Sequence, residues 1–385
     1  MEAMGYLRSD GSVGYRNHIV ILPSVGCAND VALRIGRVYP NVLVLAHRQG
    51  CAQLGDDKEQ TARALVGLGK NPNVAGVLII GMGCESITAD YLANEISQAK
   101  KMVETLVVLD EGGLTKVLPK AVKIVDPMLR EASQMERVAC EVDRLTLGIK
   151  CGLTDTTSGI TSNPATGFSA DMLVELGGTV IFGETPEIIG AEHILAKRAE
   201  SHEVEEKLYR LVNECEERVR ASGMDIRGAN PAPGNIAGGI TTIEEKSLGA
   251  IRKGGGTSLK GVLRYGEPPK GKGLFFMDGP GRTPEALTGL SATGAQVIIF
   301  STGGGSPAGT PISPVIKVTG NPHTVRHLSG HIDVDVSSIL SGEETVEKAG
   351  QRIFQELLSV ASGKATRAEA LGYGMISIWN TGPHM

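Results

Sequence analysis

The chain has 385 residues, enough for two or three domains, with 38 basic and 43 acidic residues and a net charge of -5. That balance argues against a nucleic-acid surface read by charge, and no apolar run reaches the ~18 residues of a membrane helix. Six cysteines in so long a chain make no disulfide framework, and Met1 to Arg8 lack the cationic-then-apolar order of a signal peptide, so a cytoplasmic protein with reduced thiols is expected.

Taken in chain order, short apolar runs alternate with glycine turns and helical patterns. His18 to Pro23, Val42 to Ala46, Val74 to Ile80 and Leu106 to Leu109 read as strands, each apolar throughout, as expected where both sheet faces are covered. Helical stretches over 57–68 and 89–101 separate them. A long helix is predicted from about Leu118 to Leu145, because Met135, Val138, Val142 and Leu145 recur at helical spacing. A second part opens at Leu147 and alternates again: strand 179–182, a helix from Pro186 toward Arg220 with room for a break, then strands 273–277, 296–300 and 315–318. The fold class predicted is α/β, with mainly parallel, helix-covered, Rossmann-like sheets in two domains, 1–146 and 147–385. Glycine, 51 of 385 residues, marks tight turns and close backbone approaches in this pattern.

Parallel sheets bind ligands outside the carboxyl ends of their strands. Cys51, Cys84 and Cys151 each follow an apolar strand and adjoin glycine, so they are candidates to converge on one metal ion or iron–sulfur cluster. The alternative is that each is simply a small buried residue. Cys27 follows a strand with weaker flanks, while Cys140 and Cys215 fall on apolar helical faces and are expected in the core. The run from Cys151 to Gly167 carries Thr156, Ser158 and Asn163; its hydroxyls and backbone N–H groups suit a carboxylate or polyol, or equally a capped helix start. Thr302, in the glycine-rich turn Ser301 to Ser306, and Asn235, in Pro233 to Gly239, are similar candidates. Glu184 is left at a strand end, where a carboxylate binds metal or moves a proton. No P-loop and no dinucleotide fingerprint is present, which disfavours ATP and NAD.

These motifs together resemble the altronate/galactarate dehydratase family, which includes the large subunit of sulfolactate sulfo-lyase. The pieces that carry the resemblance are Gly5 to Asn17, His47 to Cys51, Gly83-Cys84-Glu85, Cys151 to Gly167, Gly177 to His193, Pro233 to Gly249, Tyr265-Gly266, Lys272 to Leu274 and Phe300 to Gly309. They run in order over nearly the whole chain. The resemblance implies a carbon–oxygen lyase that removes water from a sugar acid to give a 2-keto-3-deoxy acid. It also implies a divalent metal, iron above all, as Fe2+ or as an iron–sulfur cluster. The Asp155 to Gly159 run leans toward the sulfo-lyase branch, in which sulfite leaves instead. Family members carry a small β-rich N-terminal domain that this sequence does not, so a separate small subunit is expected as partner. A homo-oligomer and a small carboxylate substrate are expected too, with no nucleic acid and no membrane. His47, Lys246 and Glu184 are the proton-transfer candidates for such an elimination, and Arg8 or Arg16 would clamp the substrate carboxylate. A non-catalytic scaffold subunit is the alternative from another class.

Overall fold

The computed structural model describes residues 1–382. The apolar runs of the first half become strands β1 (Glu2–Leu7), β2 (Val13–Gly14), β3 (His18–Pro23), β4 (Leu43–Val44), β5 (Val74–Gly81), β6 (Met102–Val107) and β7 (Val138–Glu141). All eight residues of β5 are buried, which is what an uninterrupted apolar run requires of a central strand. β3 to β6 form a parallel sheet in the order β4-β3-β5-β6, and β1 pairs antiparallel with both β2 and β7.

The second half supplies β8 (Thr146–Gly152), β9 (Thr179–Gly183), β10 (Leu259–Leu263), β11 (Gly273–Met277), β12 (Val297–Thr302), β13 (Val315–Thr319) and β14 (Val334–Asp335). Their order is β10-β11-β9-β8-β12-β13-β14, all parallel. The α/β fold with two parallel, helix-covered sheets is therefore as expected. Each sheet has a switch point where the chain reverses its direction of growth: between β3 and β5 in the smaller sheet, between β8 and β12 in the larger.

One apolar core joins the sheets. Val20, Leu22 and Ile79 of the smaller sheet cluster with Ile181, Ile298 and Phe300 of the larger, around helices Gly55–Lys70 and Thr283–Ala292. The two helices touch backbone to backbone, since a Cβ on Gly67 would lie 2.1 Å from the Ala292 carbonyl oxygen. Burial of this apolar surface, at roughly 25 cal/mol per Å2, is the main force holding the halves together.

Two elements differ from expectation. The helix predicted over 118–145 spans Leu114–Ser133, and β7 follows it. Pairing of Ala3 with Cys140 and Gly5 with Val138 draws that segment into a sheet, so long-range strand pairing outweighs local helical spacing. Cys140 is buried as expected, but in a strand. The helix expected from Pro186 is broken into a turn at Thr185–Glu187, a short helix Glu192–Ala196, and His202–Ala221, which starts afresh on the Ser201 cap.

Candidate active site

At the carboxyl ends of β8 and β9 four polar groups are sealed in the interior. Lys150 is 0% exposed, Lys253 1%, and Glu184 and Cys151 2% each. Glu184 sits on a left-handed residue, φ 80°, just past β9, and this turns its carboxylate back along β8. Lys150 Nζ donates to Glu184 Oε1 at 2.6 Å and Lys253 Nζ to Oε2 at 2.9 Å; the Cys151 N–H donates to Oε2 at 2.9 Å. Lys253 also donates to Cys151 Sγ at 3.1 Å, and Lys150 to the Cys151 carbonyl at 2.7 Å.

The electrostatics follow from burial and pairing. Burial pushes the Glu184 carboxyl up, but the two ammonium groups override it and leave it below the usual range. Burial likewise pulls Lys253 down, and the sulfur of Cys151 with the Glu184 carboxylate reverses this and raises it. The Cys151 thiol is pushed up to about 11, first by burial and against the pull of Lys253, so it is a thiol at neutral pH. A thiol in this state is a weak metal ligand.

The loop after β8 is fixed by Asp155. Its Oδ1 accepts from the Ser158 N–H at 2.8 Å, its own N–H donates to Ser158 Oγ at 3.2 Å, and the reciprocal pair caps helix Thr156–Ile160. Its Oδ2 accepts from Asn321 Nδ2 at 2.6 Å, which ties the loop to the end of β13. Thr302 Oγ1 accepts from the Gly305 N–H at 2.9 Å and closes the turn after β12. These loops bracket the switch point between β8 and β12. Beside them lies a cavity of about 720 Å3 with Thr154, Asp155, Thr156, Glu245, Lys246 and Arg252 on its wall. A larger cavity of about 950 Å3, between helices Gly55–Lys70 and Ala89–Ser97, is lined by none of the sequence-selected residues.

Lys246 comes from helix Ile243–Ala250 and is buried. Its Nζ donates to Asn230 Oδ1 at 2.7 Å and Glu187 Oε1 at 3.0 Å, and Glu187 Oε2 is buried without a partner. Of the residues singled out from sequence, Lys246, Thr156 and Ser158 gather around this loop and cavity. Asn235 bridges the Thr154 carbonyl and the Ala232 N–H, and Asn163 Nδ2 donates to the Gly249 carbonyl at 3.0 Å. Both brace the cavity wall from behind.

Other expectations need correction. His47 is buried on the smaller sheet: its Nδ1 accepts from the Gln49 N–H at 3.2 Å, so Nε2 carries the proton given to the Pro23 carbonyl at 2.7 Å. Both nitrogens are committed to the backbone, and burial holds its pKa down at about 4, so in this structure His47 shapes a loop. Arg8 spends its donors on Pro72, Asn17 and Arg16. Arg16 spends all five on Glu369 and the carbonyls of Tyr15, Val360 and Lys364. Arg16 has no donor left with which to clamp a substrate. Glu184, with both oxygens taken by lysines, anchors charge and is not a free base. The cysteine trio does not meet as one ion's ligands. Cys51 and Cys84 are exposed on the smaller sheet, Cys151 is buried on the larger, and among the described residues no three His, Cys, Asp or Glu side chains are grouped to hold an ion.

Lys150, Lys253 and Asp155 were missing from the sequence-level site. Lys150 had a readable signal, a lysine inside the otherwise apolar run Leu147 to Cys151, where a charge must find a partner.

Comparison with known proteins shows the family. The D-galactarate/altronate dehydratase C-terminal family model matches residues 142–384, and the D-galactarate dehydratase/altronate hydrolase second-domain model matches residues 5–133. The chain belongs to this dehydratase family. Among its relatives is the (2R)-sulfolactate sulfo-lyase subunit beta of Chromohalobacter salexigens, 39% identical over 372 residues, covering 96% of this chain and 95% of that one. Altronate dehydratase of Bacillus subtilis is 34% identical, covering 98% of this chain and 77% of its own length. Galactarate dehydratase (L-threo-forming) of Escherichia coli is 32% identical, covering 98% and 76%. No helix among the described residues is long and apolar enough to cross a membrane.

Proposed function

We propose that the chain is the large subunit of a lyase that removes water from a sugar acid, giving a 2-keto-3-deoxy acid. The observation that carries this reading is the buried Lys246, held by Glu187 and Asn230 on the wall of a cavity at the carboxyl edge of the larger sheet. Elimination requires removal of a weakly acidic proton next to the carboxylate and assistance to the departing hydroxide. Lys246 moves the proton, directly or paired with Glu187. The two lysines on Glu184, two cationic groups against one anionic, bias the strand edge toward a substrate carboxylate and the charge that develops on it. Thr156 and the loop N–H groups bind hydroxyls.

A divalent metal belongs to the family expectation, and it would supply Lewis acidity to the leaving oxygen when bound. The expected cysteines do not assemble as ligands of a single ion, so the steps above are those of the chain's own side chains. The name "subunit beta" of one relative supports a partner subunit, and we propose a small one here.

Sulfite elimination from a sulfolactate is the second reading, favoured by the reciprocal coverage of 96% and 95% with the sulfo-lyase subunit. The test is turnover of the full chain, with a candidate small subunit, on altronate, galactarate and sulfolactate. Keto acid formed from an aldonate or aldarate supports dehydration. Sulfite released from sulfolactate alone replaces it with the second reading.

A further inference from the structure

Two cations line the cavity of about 720 Å3, Lys246 and Arg252. Lys246 is spent on Glu187 and Asn230. Arg252 is not spent: among the described residues its guanidinium has no hydrogen-bond or ion-pair partner. Three carboxylates share the wall, and each is engaged elsewhere. Asp155 accepts from Thr157, Ser158 and Asn321, and Glu245 accepts from the N–H and Oγ1 of Thr241. Glu347, in the first turn of helix Val346–Ala361, is held by Thr345 and its own N–H.

The base under this side chain is rigid. Arg252 sits in the turn Ile251–Gly254 that follows helix Ile243–Ala250; Ile251, Lys253 and Gly254 are buried, and Arg252 alone is exposed. Its carbonyl accepts from the Gly255 N–H at 3.1 Å. Gly167, on helix Ser162–Glu175, comes so close that a Cβ there would lie 2.1 Å from that carbonyl oxygen. The next residue, Lys253, is fastened to Glu184 and Cys151. Arg252 therefore has a fixed root and five free donors. Ile160, Ile240, Leu248 and Val346 make much of the remaining wall apolar. A few polar groups in such a wall is the composition of a small-ligand site, and apolar surroundings strengthen an ion pair formed there.

We propose that Arg252 binds the substrate carboxylate as a two-pronged ion pair and so presents the adjacent carbon to Lys246 on the same wall. The planar guanidinium matches the two carboxylate oxygens, which a lysine on the same base would not. Arg252 thus fills the role that sequence gave to Arg8 or Arg16. The ligand class is an acid with a removable proton on the carbon next to its carboxylate, a feature that sugar acids and sulfolactate share. The assignment rests on the lyase reading for the identity of the acid, but not for the presence of an anion site.

The full chain, with a candidate small subunit, is to be assayed on altronate, galactarate and sulfolactate. Arg252→Gln should raise KM about ten- to hundredfold, as loss of hydrogen bonds to a charged group does, and leave kcat within a few-fold. Its melting temperature should not change, since no protein group loses a partner. Arg252→Lys should recover part of the KM, because it keeps the charge without the fork. Millimolar guanidinium ion should lower the KM of Arg252→Ala and leave that of wild type unchanged. Calorimetric titration of the same acids into the Lys246→Met protein reads binding without turnover, and adding Arg252→Gln there should weaken Kd by a similar factor. Wild-type turnover with KM unchanged in Arg252→Gln overturns the assignment and leaves the lyase reading standing. Arg252-dependent binding with no turnover of any acid by wild type overturns the lyase reading and leaves the assignment standing. Failure of all three acids to bind overturns the assignment.

Discussion

Gly303 lies against Asp155, so close that a Cβ on the glycine would sit 2.3 Å from the carboxyl carbon. The loops after β8 and β12 thus meet at the switch point with the Asp155 carboxyl packed directly on the glycine backbone. Gly303→Ala must push Asp155 off both its helix cap and Asn321. It should cost about 1–3 kcal/mol, as overpacking does, and reduce turnover. Gly304→Ala meets only the Leu153 side chain, at 3.1 Å, and should be milder. Denaturant midpoints and kcat for the two variants decide this.

Lys253→Met leaves Glu184 with one lysine instead of two in a dry interior. Breaking a buried ion pair from one side typically costs about 3–5 kcal/mol. Urea unfolding should show a loss of that order, along with loss of activity. A change under about 1 kcal/mol would mean that Lys150 alone satisfies the carboxylate.

Lys246→Met should keep the fold and lower kcat by about a hundredfold or more, since positioned acid–base groups contribute ~10²–10⁴. Unchanged kcat with a raised KM would reassign Lys246 to substrate binding.

The pH dependence of stability carries the mark of His47. Its ring titrates near 6.5 when unfolded and at about 4 when folded, because burial disfavours the cation. The unfolded chain therefore takes up the proton first on acidification. The His47 contribution should be constant above pH 6.5 and fall by up to about 3 kcal/mol toward pH 4. His18, also held at about 4 by burial, adds a parallel loss. His47→Gln should make this slope shallower, as urea titrations at several pH values would show.

Arg16→Lys separates a structural role from the substrate clamp that sequence suggested. Lysine cannot reproduce the two-pronged bond to Glu369 together with three carbonyl contacts. The variant should melt at a lower temperature with KM unchanged.

Much of the fold was legible because buried parallel strands announce themselves as uninterrupted apolar runs: β5, β9 and β11 fall where those runs lie. The segment 134–145 was misread because its pairing partner, Glu2–Leu7, lies more than a hundred residues earlier, beyond any local window. The site was legible in part. Strand-end logic found Glu184 and Cys151, and family resemblance pointed to Lys246. It also promoted His47, Arg8 and Arg16, whose polar atoms are taken up by backbone groups and by side chains distant in sequence such as Glu369, which no local pattern reveals. Lys253 escaped notice because only its packing beneath β8 and β9 sets it apart from a surface lysine.

Residues 378–381 run back across the smaller sheet's loops. Gln49 Nε2 donates to the Ile378 carbonyl at 3.1 Å, Gln53 Nε2 to Asn380 Oδ1 at 3.1 Å, and the Thr381 N–H to Asp57 Oδ1 at 2.8 Å. Those partners are separated by 324 to 329 positions in the chain. During synthesis the loop at 49–57 therefore waits for these three contacts until residues 378–381 have emerged. The first half can form its sheet early, but this part of its rim is completed only once residues 378–381 have folded back onto it.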